Sequence, residues 1–159
     1  MKIIKGDLIA LAKAGEFDVI CHGCNCFHSF GSGIAKTIKE EFPDAYRADL
    51  ETPRGDIHKL GTCTYGDWFR EDGHRVSIAN LYTQYKYGRN KDFFEYEAFE
   101  KVLQELNSFF GKHPSSRRWG FPEIGCGLAG GDKGRIMKIL EETTKDLNVT
   151  VVQYNKEDK

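Results

Sequence analysis

Short apolar runs of strand length alternate along this chain with amphipathic stretches of helical period. Lys2–Ile4 reads as a first strand ending at Gly6-Asp7, and Leu8–Ala14 as a short helix stopped by Gly15. Asp18–Cys21 reads as a buried strand. Gly33–Glu41 has helical character and is ended by Phe42-Pro43, because the residue before a proline is pushed out of the α region. Residues 44–60 are polar, hold Pro53 and Gly55, and are expected to form a short helix and a loop.

The second half continues the alternation. Thr62–Tyr65 and His74–Leu81 read as strands around the turn dipeptide Asp72-Gly73, which predicts a hairpin. Asp92–Phe110 places Phe93, Phe94, Tyr96, Phe99, Val102, Leu103, Leu106 and Phe110 mostly at helical spacing, the mark of a core-facing helix. Gly111–Ser116 is a loop, and Arg118–Phe121 a strand. Asp132–Leu147 is a helix with Asp132 as N-cap and Ile136, Ile139 and Leu140 as its apolar stripe. Val149–Tyr154 is the last strand, followed by the charged tail 156–159. Strands that alternate with helices predict an α/β protein, a three-layer α/β/α sandwich on a central mixed sheet, with residues 1–155 as a single domain.

Composition narrows the function classes. The 159 residues suit one domain with a real core, and a formal net charge of −1 leaves no broad basic footprint for nucleic acid. A local basic run, Lys86, Arg89 and Lys91, reads as a solvated loop. No apolar run approaches a membrane span, and the start of the chain lacks the apolar core of a signal peptide. The expected setting is cytoplasmic, with no membrane partner and a monomeric state. Five cysteines, an odd number, fit reduced thiols. The cluster Cys21-His22-Gly23-Cys24-Asn25-Cys26-Phe27-His28 suggests zinc, but its ligands crowd into one segment and no second pair completes a site, so buried small side chains beside a ligand pocket are the better reading. No metal and no cofactor is expected.

Chemistry concentrates in two glycine loops, each following an apolar strand and opening a helix. The first is Phe30-Gly31-Ser32-Gly33-Ile34-Ala35; the second is Ile124-Gly125-Cys126-Gly127-Leu128-Ala129-Gly130-Gly131-Asp132. Glycine lets a ligand approach the backbone, and a helix start offers unpaired N–H groups and partial positive charge. Each loop is therefore an anion site, and two in one small domain suit a diphosphate held from both sides. The second loop also matches G-x-G-x-x-G. A Rossmann domain, however, puts that loop near the start of a long βα series, whereas one helix and one strand follow it here. No G-x-x-x-x-G-K-[ST] motif is present.

Five motifs in order resemble the macrodomain family, the ADP-ribose-binding module, over nearly the whole chain. They are Ile4-Lys5-Gly6-Asp7-Leu8, Asp18-Val19-Ile20-Cys21-His22-Gly23-Cys24-Asn25, Gly31-Ser32-Gly33-Ile34-Ala35, Ile78-Ala79-Asn80-Leu81-Tyr82-Thr83-Gln84 and Pro122-Glu123-Ile124-Gly125-Cys126-Gly127-Leu128. His22 and the form of the second loop look most like the branch of ADP-ribose-1''-phosphate phosphatases and ADP-ribosyl hydrolases. The resemblance implies that Asp7 accepts from the adenine amino group, beside its other reading as an N-cap of the first helix. Leu8 joins it. Gly31, Ser32, Gly33, Ile34 and Ala35, with Ile124, Gly125, Cys126, Gly127 and Leu128, would line the phosphates. Tyr154 can stack on adenine or be a half-buried strand end.

Asn25 suits the distal ribose, since an amide both donates and accepts. His22 can be a general acid or base, can hold a water near the 1'' position, or can be a hydrogen-bonded structural histidine. His28, His58, His74 and His113 carry no clear signal.

Two departures bear on catalysis. De-ADP-ribosylating members of the branch use a lysine after the central strand and an aspartate in the second loop; these positions hold Gln84 and Ala129. Glutamine cannot form the Schiff base a lysine would. Lys86 and Asp132 are the nearest substitutes, and Asp132 can also reach the distal ribose. The resemblance then implies a metal-independent phosphatase acting on ADP-ribose 1''-phosphate. The alternatives are a non-catalytic reader of ADP-ribose or ADP-ribosylated macromolecules, and a hydrolase with altered catalytic groups.

Overall fold

A computed structural model describes residues 1–87, 93–112, 117–125 and 130–154. The elements run β1 (Lys2–Lys5), α1 (Leu8–Lys13), β2 (Val19–Cys24), α2 (Gly33–Glu41), α3 (Pro43–Leu50), a 3₁₀ turn (Ile57–Lys59), β3 (Cys63–Phe69), β4 (Arg75–Tyr82), α4 (Tyr96–Gly111), β5 (Arg118–Phe121), α5 (Lys133–Thr143) and β6 (Asn148–Gln153). The six strands form one sheet in the order β1-β6-β5-β2-β4-β3. All neighbours are parallel except the β3–β4 hairpin. The sheet is therefore mixed, as expected.

Side-chain alternation on the strands builds the three layers. Ile20, Cys24, Val76, Ile78 and Tyr82 point toward α1, α2 and α3, where Leu8, Ala12, Ile38 and Ala45 meet them. Val19, Cys21, Ala79, Leu81 and Trp119 point the other way, onto Phe99, Val102 and Leu106 of α4 and Ile136 and Leu140 of α5. Removal of this apolar surface from water on both faces is the main stabilising term.

Boundaries differ from the sequence reading in instructive places. β2 continues three residues past Cys21, because β4 runs alongside it through Cys24↔Tyr82. The helix expected from Asp92 begins at Tyr96. Glu95 is its extended cap and donates its N–H to Thr83 O (2.7 Å), while Phe94 bridges to Gln84 instead of entering the helix. α5 stops at Thr143 rather than Leu147: Thr144 leaves helical φ, and its hydroxyl donates to Leu140 O (2.7 Å). Pro43 ends α2 and also opens α3 at its first turn, where its missing N–H costs nothing. The tail 156–159 lies outside the described residues.

Candidate functional site

Five parallel strands put five chain exits on one edge of the sheet. In spatial order these are Asp7 after β1, Tyr154 after β6, Ile124-Gly125 after β5, Asn25 after β2 and Thr83-Gln84 after β4. β2 is paired with β4 up to Cys24↔Tyr82, but with β5 only at Val19↔Trp119 and Ile20↔Gly120. Towards this edge β2 and β5 therefore part company. Here too the chain reverses its winding: β2 leads into α2 on one face, and β5 into α5 on the other. A crevice at such a switch point is where open α/β sheets take ligands.

The first glycine loop forms one lip of this crevice. Phe30 anchors it, packing edge-on to His22 (5.3 Å) and Tyr46 (5.0 Å). Gly31, Ser32 and Gly33 are exposed, and Ile34 and Ala35 pack partly into the core beneath α2. Ser32 is the N-cap residue but makes no side-chain cap bond. The amides of Gly33, Ile34 and Ala35 precede the first bond of the helix, Lys36 N–H to Ser32 O (3.4 Å), so the helix itself gives them no acceptor. Gly33 has φ +59°, and nothing stands within 4 Å of where its Cβ would be.

The second loop forms the other lip. Ile124 is buried, and Gly125 turns the chain at φ +75° against the Phe94 ring. Gly131 N–H closes the loop on Gly125 O (2.7 Å). Cys126, Gly127, Leu128 and Ala129 lie outside the described residues. Asp132 caps α5, accepting from Arg135 N–H (2.9 Å), and is exposed.

At the far end Asp7 and Tyr154 stand together, because β1 and β6 pair through Lys5↔Gln153 and Gly6 N–H donates to Gln153 O (2.9 Å). Tyr154 is 52% exposed. Asp7 caps α1 by accepting from Ala10 N–H (3.1 Å). Leu8 sends its side chain into the core, so only its backbone can serve a ligand.

The two remaining polar candidates are already engaged. Asn25 braces its own loop: Oδ1 accepts from Phe27 N–H (2.9 Å) and Ser29 N–H (3.3 Å), and Nδ2 donates to Ser29 O (2.9 Å). Three of the four bonds an amide offers are thus spent. His22 lies within β2, fully buried, opposite its register partner Asn80. Asn80 Nδ2 donates to Ala45 O (2.9 Å) and Thr64 Oγ1 (3.0 Å), so its Oδ1 must accept the proton of His22 Nε2 (2.6 Å). Burial holds His22 down to a pKa of about 4, against the pull of Asn80 and Asp49 the other way. Of the three readings of His22, this geometry matches the hydrogen-bonded structural histidine: it sits sealed and neutral under α2 and α3.

Behind it runs a buried polar chain that the sequence did not flag. Thr64 Oγ1 meets Tyr82 OH (3.0 Å), Tyr82 OH donates to Asp49 Oδ1 (2.7 Å), and His28 Nδ1 meets Asp49 Oδ2 (2.7 Å). His28 holds the loop after β2 in a left-handed conformation, φ +62°, to reach this carboxylate. Gln84 donates to Lys86 O (2.9 Å), and Lys86 is exposed. Arg89 and Lys91 lie outside the described residues. Among the described residues no group of three or more His, Cys, Asp or Glu could hold a metal ion. No helix among them is long and apolar enough to cross a membrane.

Comparison with known proteins places this architecture. No family profile matches the chain. An uncharacterised 17.5 kDa protein of Enterobacteria phage T4 is 38% identical over 156 residues, covering 97% of this chain and 96% of the relative. An ADP-ribose 1''-phosphate phosphatase of Lodderomyces elongisporus is 28% identical over 159 residues, covering 96% and 98%. The macrodomain of Mycobacterium tuberculosis DarG superposes with a TM-score of 0.71 at 20% identity, over 96% of each chain. The chain has the macrodomain fold. The strand ends of this macrodomain sheet are also where segments of the five sequence motifs come together. Thr83, on that same edge, was not singled out by sequence reasoning; it is one of several polar residues in and just after β4, which ends at Tyr82.

Proposed function

We propose that the chain binds ADP-ribose along this edge and hydrolyses ADP-ribose 1''-phosphate to ADP-ribose and inorganic phosphate. The parting of β2 from β5 between two glycine loops carries this reading. It opens space for a diphosphate where the helix-start amides of α2 face one side and the Gly125 turn the other. Four strand spacings of about 4.8 Å separate β1 from β4, giving an edge of about 19 Å for a ligand lying across the strand ends. Asp7 and Tyr154 mark its adenine end, and Asn25 and Thr83 its distal ribose end.

In the reaction, water adds to phosphorus, the bond from phosphorus to the 1'' oxygen breaks, and a proton passes to that oxygen. Backbone amides that meet the phosphoryl oxygens would stabilise the charge that builds there. The phosphatase relative from Lodderomyces elongisporus supports this chemistry.

A second reading, a reader that binds without turnover, is favoured by one observation. His22 is sealed, and Asp132 is engaged as a helix cap. Calorimetric titration with ADP-ribose, followed by a phosphate-release assay on ADP-ribose 1''-phosphate, decides between them. Binding with release upholds the phosphatase, binding without release upholds the reader, and absence of binding sinks both.

A further inference from the structure

One buried polar group on the ligand edge has nothing to bond. Thr83 is fully buried, and its backbone is committed: its N–H donates to Cys24 O (3.2 Å), and its carbonyl accepts from Glu95 N–H (2.7 Å). Its hydroxyl has no hydrogen-bond partner among the described residues. A buried hydroxyl left unpaired loses its bonds to water and gains none, so native proteins rarely keep one without a use.

Its surroundings suggest the use. A Cβ placed on Gly23 would stand 2.8 Å from Thr83 Oγ1 and 3.2 Å from Ile124 Cγ2. Thr83 and Ile124 thus pack closely against Gly23, an approach that only a residue without a side chain at position 23 allows. This close packing lies where β5 has left β2 unpaired, and Gly23 is partly exposed although it is in an inner strand. The hydroxyl therefore lies just beneath the ligand edge, beside the Cys24–Asn25 peptide and Gly23. Every other polar side chain named on this edge has a protein partner or is exposed.

We propose that Thr83 is a positioning residue for the distal end of the ligand, its hydroxyl hydrogen-bonding the oxygen on the anomeric carbon of the terminal ribose. This inference rests on the ADP-ribose reading above. The ligand supplies the partner the protein withholds, and the bond fixes the carbon that bears the 1''-phosphate.

The test compares Thr83→Val, which keeps the shape and removes the hydroxyl, with wild type and Thr83→Ser. Affinities for ADP-ribose and for ADP, which lacks the terminal ribose, are measured by calorimetry, and Tm by scanning calorimetry. The expected result is an ADP-ribose affinity about tenfold weaker in Thr83→Val, the worth of one hydrogen bond. ADP affinity should be unchanged, Tm should hold level or rise because an unpaired buried hydroxyl is gone, and Thr83→Ser should restore ADP-ribose binding. Equal ADP-ribose affinity in Thr83→Val and wild type overturns the proposal. So does an equal loss for both nucleotides, or a fall in Tm, since either would make the hydroxyl a structural group. Wild-type protein that binds neither nucleotide would instead bring down the underlying ADP-ribose reading.

Discussion

Gly33 and Gly125 both turn at positive φ, yet alanine should affect them in opposite ways. At either position a Cβ in the left-handed region costs about 1 kcal/mol. At Gly33, φ +59°, no atom stands within 4 Å of the new methyl, so nothing is added to that cost. A domain of this size loses about 2–4 °C in Tm per kcal/mol, so Gly33→Ala should melt about 2–4 °C below wild type. At Gly125, φ +75°, the methyl falls 2.6 Å from Cε1 of Phe94, a ring buried under α4. Forcing a methyl into packed core costs about 1–3 kcal/mol more, so Gly125→Ala should melt roughly 10 °C below wild type.

Ligand binding should rank the other way among folded variants. The Gly33 methyl enters open space at the start of α2, and on the proposed reading a phosphate held there would meet it. ADP-ribose affinity should therefore fall at least about tenfold in Gly33→Ala despite its near-normal Tm. Scanning calorimetry gives the first ranking and titration calorimetry the second. Equal Tm values for the two variants would refute the packing argument. Full affinity in Gly33→Ala would refute the placement of the phosphate.

Three further outcomes follow from individual contacts. His22 is neutral when folded down to about pH 4, while the unfolded chain takes up a proton from its ordinary 6.5 downward. Its burial therefore costs nothing above pH 6.5 and removes about 2 kcal/mol of stability as pH falls from about 7 to 5. Urea titrations at the two pH values should show that loss in wild type and lack it in His22→Gln; equal slopes would contradict a sealed imidazole. Asp132→Ala should lose about 1 kcal/mol with its cap on Arg135 N–H. Asp132→Asn should keep the stability, so a drop in phosphate release in Asp132→Asn would show a role for the charge beyond capping. Asp49→Ala leaves Tyr82 OH with Thr64 alone and takes away the partner of His28 Nδ1, and should cost about 1–3 kcal/mol by denaturant titration. A loss below about 1 kcal/mol would mean that the buried chain is not holding α3 to the sheet.

Much of the architecture was legible because it follows from local rules. Apolar runs and amphipathic stretches mark strands and helices, glycine density marks the two loops, and Asp132 is recognisable as a cap from its place before an apolar stripe. The order of these pieces also sufficed to suggest the family. What the chain order could not contain is the spatial order of the strands. Only pairing places β5 next to β2, and only the end of that pairing at Ile20↔Gly120 opens the crevice. The same dependence explains His22. Its strand looked finished at Cys21, which left it in a loop and open to catalysis; β4, distant in sequence, continues the strand and buries it against Asn80. Thr83 reverses the case: it is unremarkable in sequence and matters only because tertiary packing buries its hydroxyl without a partner. Local sequence sets which segments pair and turn. Whether a polar group is spent or available depends on atoms brought to it from other strands.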